Sequence, residues 1–282
     1  MKKETAVATK SNNLPAIGNF GSRAGAGKAK ISDRVRVSHL IVLNDLSPAV
    51  KEELPGAKPG ALLHTGTKEI YPRGTRLMGV PVGYEVAYVE KTPRQKGQQP
   101  KFVKRHKPNA AIVTQAKIAA AKTEEPWKTT VQDGEGKGND LFETHYVMWL
   151  LVSEFENPEV VGSVVTAFAK TKIAKWDDYC TMISQFKGAS DVPLYANVAT
   201  IGTEMLTGGG NSWWVFDIQP AVELDGQGPS AAHSVCDPEN ENWASILNAA
   251  EDLFKKKEEG KVDLDEDHDE GGKSTDADSD PI

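Results

Sequence analysis

"TRLMGVPVGYEVAYVEK", residues 75–91, is the stretch on which the fold turns. It is rich in Val and Tyr and alternates with a period of two, the pattern of an extended strand and not of a helix. The alternation puts Tyr84, Val86 and Tyr88 on one face, and Glu85, Ala87 and Val89 on the other. A second strand is expected at LFETHYVMWLLV, 141–152, whose near-continuous apolar end from Val147 to Val152 predicts a central strand covered on both faces.

Working outward, VRVSHLIVL (35–43) and SVVTAFA (163–169) read as further strands, and GALLHTGTKEIY (60–71) as a hairpin turning at Thr65–Gly66. PLYANVATIGTEML (193–206) and NSWWVFDIQPAVEL (211–224) flank the Gly-rich tip Thr207–Asn211, again a hairpin. Helices are expected at four places. SPAVKEEL (47–54) carries Ser47 as its N-cap, and NAAIVTQAKIAAAK (109–122) is a surface helix short of large apolar residues. TKIAKWDDYCTMISQF (171–186) spaces Ile173, Trp176, Cys180 and Ile183 along one stripe. DPENENWASILNAAEDLFKKK (237–257) has Asp237 or Asn240 as cap and a stripe of Trp243, Leu247, Ala250 and Phe254. The sum is a mainly β, α+β fold: an elaborated OB-like antiparallel barrel with inserted helices. Strand and helix do not alternate strictly, which disfavours a parallel α/β sheet.

The 282 residues divide into a flexible basic arm at 1–33, a single domain at 34–257 and a disordered acidic tail at 258–282. No apolar run reaches the ~18 residues that span a bilayer, and MKKETAVATK lacks the apolar stretch of a signal peptide. Cys180 and Cys236 make no disulfide framework. A cytoplasmic protein without membrane attachment is expected.

The formal charge of −7 conceals a segregation. Residues 1–110 hold 20 Lys and Arg against 8 acids, whereas the final 22 residues hold 9 acids against 2 cations. A polyanion responds to the local field and not to the total, so the basic half remains a candidate site for nucleic acid.

Enzyme motifs fail on inspection. GSRAGAGKA (21–29) lacks the first Gly and the closing Ser or Thr of a phosphate loop. DGEGKGNDLFE (133–143) places Thr144 where a calcium loop needs Glu. No zinc spacing is present, and neither a cofactor nor a metal is expected. Asp140, Glu143 and His145 form the one conceivable metal-dependent nuclease set, kept as an alternative reading.

Binding an unpaired strand takes cations for phosphates and flat rings for bases. Arg73 and Arg76 precede the Tyr84/Tyr88 strand, and Lys91, Arg94, Lys96, Lys101, Lys104, Arg105 and Lys107 follow it in an acid-free span. Trp149, Trp176 and Trp243 belong to core patterns, while Trp127 and Trp213 stand at turns where a ligand is within reach. No helix carries the Arg/Asn/Gln face of a major-groove reader, so sequence-specific duplex binding is not expected.

The segments PGAKPGALLHTGTKEIY, PVGYEVAYVEK, GNDLFETHY and NSWWVFDIQ, together with the acidic tail, resemble phage-encoded single-stranded DNA-binding proteins of the replication type. In such proteins the tail ends in acids and an aromatic. Here Asp276, Asp278 and Asp280 precede Pro281–Ile282, with Ile in the aromatic's place. The resemblance implies a non-enzymatic binder acting in replication or recombination in the host cytoplasm. Its tail would compete for the DNA groove and recruit replication or recombination proteins, and self-association is possible. A scaffold-like phage protein assembling through charged poles is the structural alternative.

Overall fold

In the computed structural model the described residues are 35–45, 47–93, 100–123, 129–155, 157–185, 193–221, 224–225, 228–229 and 240–264. The basic arm, Arg94, Lys96, Trp127, Cys236 and the acidic residues 265–282 lie outside them, including Asp276, Asp278, Asp280, Pro281 and Ile282. The strands are β1 (Val35–Val42), β2 (Leu62–His64), β3 (Ile70–Tyr71), β4 (Leu77–Lys91), β5 (Phe102–His106), β6 (Thr129–Thr130) and β7 (Asp140–Val152). They continue as β8 (Val160–Ala169), β9 (Ala199–Gly208), β10 (Asn211–Pro220), β11 (Leu224–Asp225), β12 (Gly228–Pro229) and β13 (Val262–Leu264). The helices are α1 (Pro48–Lys51), α2 (Ala111–Ala120), α3 (Ile173–Gln185) and α4 (Glu241–Glu258).

Eleven of the described strands form one curled, mixed sheet in the order β10-β9-β4-β7-β8-β1-β2-β3, with β5, β6 and β13 attached to β4, β7 and β1. The small hairpin β11–β12 stands apart. The 15-residue β4 organises it all. One edge pairs with β7 along nearly its whole length, while the other meets β9 at Leu77–Gly79 and β5 at Tyr88–Lys91. Pro81 has no N–H to give to a ladder, and the register with β7 shifts between Pro81 and Gly83. After the bulge Tyr84, Val86 and Tyr88 share a face, as their alternation requires. A Cβ on Gly83 would lie 2.7 Å from Lys257 Cδ, so the closing turn of α4 crosses the sheet at this point.

β7 shows why the sheet is covered twice. Val147, Trp149 and Leu151 point to one face, where they join Phe168, Ile201, Phe216 and Ile218 under Trp176, Tyr179 and Ile183 of α3. Residues from both ends of the sheet meet in this cluster, so it is the inside of the curl. Tyr146, Met148, Leu150 and Val152 point the other way, beneath Trp243, Ile246, Ala250 and Leu253 of α4. Each such large side chain taken from water contributes ~1.5–3 kcal/mol. Two of the buried indoles keep their N–H groups paired: Trp149 Nε1 donates to Thr166 Oγ1 at 2.8 Å, and Trp243 Nε1 to the Phe155 carbonyl at 3.0 Å.

The mixed sheet departs from the antiparallel expectation at β1. This strand runs parallel to β8, pairing Ser38 with Val164, and parallel to β13, pairing Val37 with Leu264. Both partners are distant in sequence, so no tight hairpin imposes the antiparallel sense. The sheet therefore takes in Val262–Leu264, residues that the sequence pattern assigned to the tail. At the far end of the curl, Asn44, two residues past β1, clasps β10: its Oδ1 accepts from Trp214 N at 2.7 Å and its Nδ2 donates to the Trp214 carbonyl at 3.4 Å. Gly60, at φ +84°, lets the chain pass the Trp214 indole at a distance no Cβ would tolerate. Asn240 caps α4, accepting from Asn242 N and Trp243 N, whereas the Ser47 hydroxyl accepts from Asn44 N and not from the short α1. No described helix is long and apolar enough to cross a membrane.

Candidate nucleic-acid interface

Between β4 and β7 the chain inserts β5, α2 and β6, which together build a lobe on the far end of the two long strands. α2 is sparing in large side chains because its buried face, Val113 and Ala116, fits closely on Tyr88, Leu141 and Val131. From Lys91 to Thr123 the sequence holds nine cations and no acid. Lys101, Lys104 and Lys107 are exposed on and beside β5, an edge strand that pairs only with β4 among the described strands. Lys117 of α2 lies 4.5 Å from the Tyr88 ring, and Lys91 is half-buried at the start of the insertion. Beneath the lobe the Glu90 carboxylate is buried and answered locally. It meets His106 Nε2 at 2.7 Å and accepts from Asn139 Nδ2 at 2.6 Å, tying β5 and the 131–139 turn to β4. The lysines therefore present their charge outward.

Several expected contacts are spent elsewhere. Arg105 lays its guanidinium over the Tyr146 ring at 4.2 Å and is half-buried, so it props β5 against the sheet. Tyr88 is 2% exposed and donates its hydroxyl to Glu143 Oε2, leaving no ring face for a base. Arg76 is ion-paired with Asp217 and donates to Thr200 Oγ1 at 3.2 Å. Arg73 covers the Trp214 indole at 4.4 Å, and the neighbouring Trp213 is half-buried against Gly208 at the hairpin tip. Arg76 and Lys101 flank opposite ends of β4, whose 15 residues reach up to ~50 Å when extended. The sequence-predicted cations thus form two groups: Lys91, Lys101, Lys104 and Lys107 on the lobe, and Arg73 and Arg76 along the β9–β10 hairpin. The signal missed was Lys117, which the acid-free span already contained.

Tyr84 sits between these groups, 38% exposed and stacked on Trp176 at 5.8 Å and 18°. A chain of polar groups runs from it. Tyr84 Oη lies 2.9 Å from His145 Nδ1, and His145 Nε2 lies 2.9 Å from Glu143 Oε1. Burial alone would raise the Glu143 pKa, but hydrogen bonds from His145 and Tyr88 and the nearby Lys117 outweigh it and hold the group below its ordinary value. Both Glu143 oxygens are thereby engaged. Among the described residues no group of three or more His, Cys, Asp and Glu is placed to hold a metal ion.

A curled mixed sheet flanked by helices, with a cationic lobe inserted between its two longest strands, defines a mainly β protein of the α+β class. The sequence model of the Pam3 phage gp34-like protein family matches residues 7–263, and the chain belongs to that family of phage proteins. No curated protein and no solved structure matches it.

Proposed function

We propose that this phage protein binds single-stranded DNA without sequence preference, with the lobe of β5 and α2 as its phosphate-binding surface. The observation that carries the reading is the lobe's charge geometry: Lys101, Lys104 and Lys107 stand exposed on the acid-free span Lys91–Thr123, and the buried Glu90 beneath it is engaged by His106 and Asn139. Cations held this way release counterions when they meet phosphates. We read the half-barrel as OB-like. Strands β4, β7 and β8 run in sequence, α3 follows and closes the inside, and the β9–β10 hairpin returns β9 to β4. Barrels of that order use the loops between their first and second, and fourth and fifth, strands for oligonucleotides. Here those loops are the lobe and the Thr207–Asn211 tip beside Trp213. Since α4 occupies the outer face of β7 and β8, the strand is assigned to the lobe, with Tyr84 and Trp213 as stacking rings.

The acidic segment, through Asp276, Asp278, Asp280, Pro281 and Ile282, competes for the lobe when DNA is absent and recruits replication or recombination proteins when it is present. The protein acts without catalysis or a cofactor, in the host cytoplasm. The test is fluorescence anisotropy with labelled oligo(dT), the matching duplex and oligo(rU) at low and at elevated salt. Tight, steeply salt-dependent binding of oligo(dT), with weak binding of duplex, is expected. Equal affinity for duplex, or no binding at low salt, would overturn the proposal.

A further inference from the structure

The outer face of the sheet holds a feature that DNA binding does not use. Where β8 begins, its register with β7 slips between Leu151 and Val152, which pair with Gly162 and Val160. Val161 is the extra residue. In a regular strand one of two successive side chains would turn inward. The bulge instead leaves both valines out, Val160 48% and Val161 66% exposed. Val160 borders a groove between β8 and α4, floored by Leu150, Ala249 and Leu253. Apolar residues left bare on a strand beside a groove are a common centre of a protein–protein contact.

Two charges on the groove's lip identify the partner. Asp252 and Lys256 of α4 are spaced i, i+4, where opposite charges usually meet. The adjacent pair Glu251–Lys255 does so at 2.8 Å. Asp252 and Lys256 do not, and both are exposed without an ion-pair partner among the described residues. An acid and a base about 6 Å apart along one helix are complementary to the same two groups turned by a two-fold rotation. Asp252 then meets Lys256 of a second copy, Lys256 meets that copy's Asp252, and the bulged valines of both copies close over the grooves.

We propose that the protein forms a two-fold symmetric homodimer through the α4–β8 groove, centred between Asp252 and Lys256. The cationic lobe, at the other end of β7, stays outside this contact, so each dimer offers two lobes.

Sedimentation velocity of the full chain without nucleic acid, over a wide concentration range, tests it. The wild type should be dimeric. Asp252→Lys and Lys256→Asp each set like charges against each other and should weaken association at least about tenfold. Mixing those two variants should restore a heterodimer, since every contact is again between opposites. The double exchange Asp252→Lys/Lys256→Asp should also restore the dimer, and Val160→Asp should abolish it while the circular dichroism spectrum of the folded chain is unchanged. A monomeric wild type, dimers that form only with DNA, dimers indifferent to both reversals, or variants that fail to associate on mixing would overturn the proposal.

Discussion

Replacing Asn44 by Ala removes the clasp between the end of β1 and the open edge of β10. In the native protein the Trp214 amide donates to Asn44 Oδ1 at 2.7 Å, and the weaker return bond to the Trp214 carbonyl spans 3.4 Å. Trp214 pairs with Met205 on its β9 side, and its side chain is 9% exposed between Gly60 and Arg73. Once Asn44 is truncated, a largely dry backbone N–H has no acceptor, at a cost of about 1–3 kcal/mol. For a body of this size each kcal/mol lowers Tm by about 2–4 °C, so the variant should melt ~2–12 °C below wild type. Asn44→Asp keeps the acceptor and gives up only the long bond, and should lose less than about 1 kcal/mol. Thermal and urea unfolding followed by circular dichroism and Trp fluorescence read both variants. An Asn44→Ala protein as stable as wild type, or an Asn44→Asp protein as weak as Asn44→Ala, would refute the idea that a side-chain bridge holds the curl shut.

Two further outcomes follow from the site. Glu90→Ala leaves the half-buried His106 and Asn139 without their carboxylate and should cost roughly 1–3 kcal/mol, with new proteolytic cleavage inside the lobe before the rest of the sheet yields; unchanged urea midpoints and digestion patterns would refute this. Glu143 has its pKa lowered from 4.5, so its stabilising contribution is present above the unfolded value and fades as pH falls through the folded one. Glu143→Gln should flatten that acid-side decline in a series of melts from neutral pH downward, and an identical pH dependence in the variant would count against the Tyr88–Glu143–His145 chain.

The long strands and packed helices were legible because their signals are local. β4 announces itself by alternation, β7 by an apolar run that only a doubly covered strand tolerates, and α3 and α4 by Trp176 and Trp243 on helical stripes. What stayed hidden depends on partners far apart in the chain. Nothing in VRVSHLIV tells that β1 will run parallel to β8, since that pairing is chosen by packing of Val37 and Leu40 and not by a turn. The basic residues can be read off the sequence, but their grouping cannot. A list of cations does not say that a long strand separates Arg76 from Lys101, that Asp217 answers Arg76, or that Arg105 lies on Tyr146. The burial of Tyr88 is hidden in the sequence for a related reason: its partner surface is α2, whose small Val113 and Ala116 give a weak helical stripe yet pack closely on the ring.

The most direct test of the central claim is the salt dependence of oligo(dT) affinity for Lys101→Ala/Lys104→Ala/Lys107→Ala. Each phosphate contact on a single strand contributes about 0.7 to the slope of log K against log salt, so loss of three should lower its magnitude by about 2. Binding should weaken alike for every base sequence while the melting temperature holds. A slope and an affinity equal to those of the wild type would mean that the strand, if it binds at all, lies on another surface.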